Sequence, residues 1–418
     1  MATPISRRSV LAAGAGAAAG LALPGAAAQA SRSSTKVRFT LGAETLDGGE
    51  QVTSVTLRTG RLGRVDPAGL TTGTFTVHAK ATSPIPLAPG DLIFSEYDLD
   101  RTVTAARVGR DGDIVLDLAH AEGQIGGGTL GYIVSRGRNV QLDLVYTITQ
   151  NSPVVVRGRP VTFTSFEQGR LSNPEVDAFS YHTSGSGMNY RLYSPSRHRH
   201  GRRPLVVWLH GGGEGGSLPD NYYDNETPLR ANRGALGFAT REAQHIFDGA
   251  YVVAPQSQSF WLEDGDRFAP QIRDIIRDVA RRHPIDRDRI SVVGCSNGGY
   301  MSLKMTVEYP DLFASSVPIC GVVQSLQPGG GRQITDAELQ AITTPTWLVT
   351  SRDDTTVPPE PNTVHAHDLI PGSLLTLYDN VTWDGHRFAG HWSWIYVARN
   401  DPRQNGLTVW QWMARQRA

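Results

Sequence analysis

The chain has 418 residues, 40 Lys and Arg against 40 Asp and Glu, and 39% hydrophobic residues. With no basic excess to neutralise phosphates, nucleic acid is excluded as the main partner. Two cysteines exclude a disulfide scaffold, and 45 Gly with 25 Pro describe a loop-rich chain well short of low complexity.

The N-terminus reads as an export signal. Ser6-Arg7-Arg8-Ser9-Val10-Leu11 is a twin-arginine pattern, an Ala/Gly/Leu stretch follows, and Ala28-Gln29-Ala30 is an A-x-A cleavage site. Residues 1–30 are therefore expected to direct twin-arginine export, leaving a mature protein secreted to the periplasm or the medium. No later segment approaches 18 unbroken apolar residues, so no membrane contact is expected after cleavage.

Residues 31–160 read as an all-β domain. Val140, Leu142, Leu144, Tyr146 and Ile148 alternate with mostly polar neighbours, the period of a strand with one face on a core. Shorter runs at Val52–Arg58, Thr74–His78, Thr102–Val108 and Ile114–Leu118 are separated by Gly/Asp/Pro clusters. Several short strands at this spacing predict a small immunoglobulin-like sandwich, here without a cysteine bridge.

From residue 161 to 418 the pattern changes. Leu205–Leu209 and Tyr251–Ala254 are continuous apolar runs, as expected of strands covered on both faces. Ile272, Ile275, Ile276 and Val279 fall on one face of a helix closed by Pro284. Ile290–Val293 predicts a strand and Gly298–Tyr309 a helix. Val317–Cys320, Thr346–Thr350 and Leu374–Tyr378 predict further strands, and Leu407–Arg415 a terminal helix. Alternating strands and helices predict a parallel sheet with helices on both faces, an α/β domain.

The chemistry concentrates after strands. Gly294-Cys295-Ser296-Asn297-Gly298 lies between a strand and a helix, where G-x-S-x-G makes a sharp turn that lifts a serine hydroxyl above the sheet. The helix N-terminus then aims backbone N–H groups at developing negative charge. His210-Gly211-Gly212-Gly213 follows another strand. It offers a second such donor from Gly212 or Gly213, with the Asn297 N–H as its partner. No Lys-Ser/Thr follows, so a nucleotide-phosphate loop is excluded. His210 itself is expected to fix the loop.

A serine nucleophile needs a base, and the base an orienting acid, in the chain order Ser, acid, His. Asp353 and Asp354 follow the strand Thr346–Thr350, and Asp354 is preferred because it begins D-x-x-V-P. His386 and His391 compete for the base. His391 is preferred because it follows Gly390 and precedes Trp392 and Trp394. Trp261, Trp383 and Trp392 are candidate walls of an acyl or aryl pocket. His365-Ala366-His367 lacks nearby ligands, and no metal or cofactor is expected.

Residues from about 167 onward resemble the α/β-hydrolase esterases of the prolyl-oligopeptidase-like, polyhydroxybutyrate-depolymerase-like group. The resemblance rests on Leu209–Gly213, on Ile285–Ile290 leading into Gly294–Gly299, on Tyr309–Ala314 and on Pro318–Gly321. It implies a Ser296, His391, Asp354 triad and a serine carboxylesterase acting on short-acyl or aryl esters. Alternatives are a serine peptidase of prolyl-oligopeptidase type and a polyester depolymerase, so the partner is a small or polymeric ester; a homo-oligomer is left open. Together with the leading β-domain, the layout resembles secreted bacterial esterases with an immunoglobulin-like domain. Asn297 departs from the group, where many members carry Met.

Overall fold

The computed structural model describes residues 35–195, 201–217 and 219–418. The expected export segment lies outside the described residues. The β-region carries two sheets on one core. In the first, Ser165–Ser172 lies beside Lys36–Leu46, followed by Gly49–Leu57, Ile114–Leu118 and Val103–Val108. In the second, Phe75–Thr82 lies between Asp143–Gln150 and Tyr97–Arg101. Phe39, Val55 and Leu116 of the first sheet share a cluster with Val77, Ala79 and Ile148 of the second. Residues Ser165–Ser172 lie beyond the boundary expected at 160, and their parallel pairing with Lys36–Gly42 returns them to the β-region.

The long alternating run splits. Arg138–Gln141 joins a small third sheet with Leu130–Ile133 and Ile93–Phe94, whereas Asp143–Gln150 joins the second sheet. Leu142, between them, donates its N–H to the Thr129 carbonyl at 2.8 Å. The alternation survives the break because Val140, Leu142, Tyr146 and Ile148 all point inward.

Eight strands form the second half: β1 (Phe179–Thr183), β2 (Asn189–Tyr193), β3 (Arg203–Leu209), β4 (Tyr251–Gln256), β5 (Ile285–Cys295), β6 (Ser315–Ile319), β7 (Trp347–Ser351) and β8 (Leu374–Tyr378). Their order is β1-β2-β4-β3-β5-β6-β7-β8. β2 runs antiparallel to both neighbours and the rest are parallel. The sheet is thus mixed, not wholly parallel. The short Ser184–Met188 turn can join β1 and β2 only as a hairpin, whereas parallel neighbours need a long crossover.

β3 shows why an unbroken apolar run is needed. Leu205, Val207 and Leu209 enter one core and Val206 and Trp208 the other, so both faces are covered. Helix α1 (Gly265–Arg282) lays Phe268, Ile272, Ile275, Ile276 and Val279 on the first of these cores. Asp264 starts it by accepting from the Arg267 N–H at 3.2 Å.

The two halves meet at buried charge. The Glu50 side chain is 0% exposed, pairs with Arg230, and accepts from Asn173 Nδ2 at 2.8 Å and Thr129 Oγ1 at 2.7 Å. Arg230 also donates from Nε to Glu226 at 2.7 Å. Removing one partner of such a pair leaves the other charge buried, which costs more than the pair contributes. Glu50→Ala is expected to destabilise the chain by about 3 kcal/mol, read as a lower urea midpoint at unchanged m-value. Adding Arg230→Met should recover part of that loss.

Candidate active site

Ser296 follows β5 and precedes helix α2 (Asn297–Glu308). Its backbone has φ 56° and ψ −115°, a left-handed conformation unusual for a residue with a side chain. Such strain costs on the order of 1–3 kcal/mol and persists only where the surroundings impose it. They do so here through the Ser296 N–H, which donates to the Ile319 carbonyl at 2.8 Å, and the Ser296 carbonyl, which accepts from Tyr300 N at 3.0 Å. Gly298 lets the turn press against β3, since a Cβ there would overlap the Leu209 and His210 carbonyls. The result leaves Ser296 half-buried at the helix N-terminus.

The loop after β3 is fixed by His210, as expected. Its Nδ1–H donates to the Gly211 carbonyl at 2.6 Å, and Nε2 accepts from Ser257 N at 3.0 Å. Burial pushes its pKa down to about 4, so the ring is neutral. Trp261 donates from Nε1 to the His210 carbonyl at 3.0 Å and packs tilted against its ring. Trp261 is 0% exposed, and this corrects its expected place in a pocket wall: it is a core residue beneath the loop.

The two candidate glycines diverge. A Cβ on Gly212 would lie 3.2 Å from Phe260 and 3.6 Å from Asn297 Nδ2. Gly213 faces the β-region, where its carbonyl accepts from Asn139 Nδ2 at 3.3 Å and a Cβ would meet Tyr132 at 3.5 Å. Gly212 is therefore the one beside Asn297. The Asn297 side chain is buried and accepts from Leu262 N at 3.0 Å, which commits it to the Trp261 loop.

The acid and the base meet. Asp354 is buried, and its Oδ1 accepts from Thr356 N and Val357 N, both at 2.9 Å. Its Oδ2 is 2.8 Å from His391 Nδ1. Asp353 is engaged elsewhere, with Ser351 Oγ at 2.7 Å and Arg387 Nη2 at 2.6 Å. A Cβ on Gly390 would overlap the Asp353 carbonyl, so only glycine admits the His391 loop this close. His386 sits in a hairpin with its ring against Phe388 and Gly123 of the β-region. Trp394 stands edge-on to His391 at 5.5 Å and stacks on Trp392. Trp392 and Trp383 are half-buried, packing on Phe388 and Tyr396 respectively.

Burial opposes protonation of His391, but the Asp354 carboxylate bonded to its Nδ1 favours it and carries its pKa above 6.5. Cys320 follows β6 directly and its thiol donates to the His391 carbonyl at 3.3 Å. Two consecutive residues, Ile319 and Cys320, thus hold the backbones of Ser296 and His391.

Two features escape a reading of the sequence. Glu214 is a buried carboxyl behind the glycine loop, pushed up to about 7 by burial. Its Oε1 accepts weakly from Asn232 at 3.4 Å, and its Oε2 has no hydrogen-bond partner. The β-region also grips this loop: Arg138 Nη2 donates to the Gly215 carbonyl at 3.0 Å, and Tyr222 Oη accepts from Gln141 N at 2.5 Å. Only long-range packing places these groups, so no local motif announces them.

Comparison with known proteins agrees with this architecture. Residues 257–330, which hold α1, β5 and Ser296, match the prolyl oligopeptidase family. Poly(3-hydroxyalkanoate) depolymerase C of Paucimonas lemoignei is 34% identical over 131 residues, 28% of each chain. NocK of Nocardia uniformis subsp. tsuyamanensis, assigned as an esterase, is 27% identical over 165 residues, 39% of this chain and 46% of that one. The chain thus spans under half the length of these two curated relatives. A crystal structure of a thermostable esterase superposes with TM-score 0.72 at 25% identity, covering 91% of this chain and 99% of that one. Strand order, matched segment and superposition agree that residues from Phe179 onward form an α/β-hydrolase fold, preceded by a β-rich region.

Proposed function

We propose that the chain is a serine carboxylesterase in which Ser296 is the nucleophile, His391 the general base and Asp354 the orienting acid. The observation that carries the reading is the 2.8 Å bond between His391 and Asp354, on a loop tied to the same strand end that holds Ser296. Ser296 attacks the ester carbonyl and His391 takes its proton. Asp354 holds Nδ1–H, so that Nε2 keeps the lone pair the base needs. The Asn297 and Gly212 N–H groups bind the oxyanion. The imidazolium then protonates the departing alkoxide, and water, activated by the same base, hydrolyses the acyl-enzyme.

Esters are favoured over peptides because the thermostable esterase aligns over 99% of its length, whereas the prolyl oligopeptidase match is confined to residues 257–330. Short-acyl or aryl esters are the proposed substrates, with Trp392 and Trp383 as the proposed pocket walls. One observation favours a second reading, depolymerisation of an apolar polyester. Leu92, Phe94, Tyr132 and Val134 are 54%, 52%, 38% and 43% exposed. The pairing of Phe94 with Tyr132 and the bond from Val134 N to the Leu92 carbonyl set these four on one sheet face, ending at Gly213. We also propose that the β-region is immunoglobulin-like and that the enzyme is exported by the twin-arginine pathway, supported by its strand pattern and by Arg7-Arg8.

Ser296→Ala is expected to lower kcat on p-nitrophenyl butyrate by roughly 10⁴-fold or more, with the circular dichroism spectrum unchanged. His391→Ala should lose nearly as much, because the pair acts as one unit, whereas His386→Ala should lose at most about tenfold. A crippled His386→Ala beside an active His391→Ala would reverse the assignment.

The pH profile is a second test. A raised pKa keeps His391 as imidazolium to higher pH, and imidazolium cannot accept the serine proton. kcat/KM should therefore climb with pH through an apparent pKa above 6.5. Asp354→Asn removes the carboxylate that favours the charged form, so the limb should move to lower pH while kcat falls by about 10⁴-fold. An unmoved limb would refute the electrostatic role of Asp354.

A further inference from the structure

Cys320 has no part in the proposed chemistry, yet it lies against it. One donor atom from each of Cys320, Asp354 and His391 falls within 4.8 Å of the other two. Cys320 is 0% and Asp354 3% exposed, while the His391 side chain keeps 12% exposure and opens the cluster to small solutes. Cys295, the other free thiol, has Gly211, Glu214 and Cys320 as neighbours and is not one of the three converging donors. A sulfur, an imidazole nitrogen and a carboxylate oxygen converging on one point make a donor set suited to borderline and soft divalent ions.

We infer that Cys320, Asp354 and His391 form a binding site for one thiophilic divalent cation, Zn²⁺ or Cd²⁺, whose occupation switches hydrolysis off. The inhibition rests on the proposed role of His391; the binding does not. Metal–sulfur and metal–nitrogen bonds of about 2.3 and 2.0 Å place tetrahedral donors roughly 3.3–3.7 Å apart. The 2.8 Å Asp354–His391 bond must therefore open slightly and the sulfur move inward. The proton balance is simple. Cys320 releases its thiol proton to solvent and the thiolate binds the cation, with water completing the coordination. If the cation takes His391 Nδ1, that nitrogen's proton reappears on Nε2, and the lone pair the proposed base needs is gone. If it takes Nε2, the same lone pair is consumed directly. Either way Ser296 has no base.

The test uses the full mature chain with CdCl₂ as the probe and two readouts. The first is the ultraviolet charge-transfer band of a Cd–thiolate bond, which needs no enzyme activity. The second is the inhibition constant of Cd²⁺ on p-nitrophenyl butyrate hydrolysis, with reversal by EDTA. Wild type and Cys295→Ala should show the band at one equivalent and should be inhibited. Cys320→Ser keeps a hydroxyl donor for the His391 carbonyl, so its fold and turnover stay measurable. It should lose the band and bind Cd²⁺ roughly tenfold more weakly or worse. Absence of the band in folded wild type, or a Cys320→Ser protein inhibited as strongly as wild type, would overturn the site. A band with undiminished hydrolysis would overturn the switch. Failure of the esterase reading would appear separately, as Ser296→Ala retaining activity.

Discussion

The Ser296 N–H reaches across to the Ile319 carbonyl at 2.8 Å, and the geometry of the site follows from that one bond. It pins a residue whose backbone would otherwise relax out of the left-handed region. The pin works because β5 and β6 are parallel neighbours in register, with Cys295 opposite Ile319. One residue later, Cys320 also turns left-handed, at φ 39°, and brings its sulfur to the His391 carbonyl. A strand end thereby becomes a jig for two loops that are 95 residues apart in numbering.

Such a jig needs a rigid mount. β5 and β6 lie in the middle of an eight-stranded sheet with a separate apolar core on each face. Parallel strands of this kind are buried on both sides, and close-packed interiors resist displacement. The site's polar parts are confined to the carboxyl edge, where the strands end and backbone groups are free to point at a ligand.

What could be read from the sequence was what is local. The strand–turn–helix around Ser296 is encoded locally: the expected helix lies within one residue of the observed one at each end, whereas the strand begins at Ile285, five residues before its expected start. The unbroken apolar run in β3 announced a doubly covered strand. Asp354 and Asp353 are adjacent and chemically identical; the D-x-x-V-P spacing favours Asp354, and the path of Gly390 past Asp353 separates their roles in space. Trp261 shows the limit: a tryptophan near a catalytic loop reads the same whether it faces a substrate or, as here, props up His210 from below. The short helices between residues 227 and 246 hold Pro228, Gly234 and Gly237, which break any helical period. They fold there because Gly234 admits the Trp208 ring into direct contact.

The grip of Arg138 and Asn139 on the loop through Gly213 and Gly215 has an evolutionary consequence. The large sheet and the residues that grip the loop after β3 are written in different stretches of the chain, separated by more than 70 residues. Substitutions in the hairpin of residues 130–141 can reshape what the loop admits while leaving every member of the Ser–His–Asp set and both cores of the large sheet untouched. On the proposed mechanism, selectivity and chemical competence would be separately heritable traits. Selection could retune the first repeatedly without risking the second.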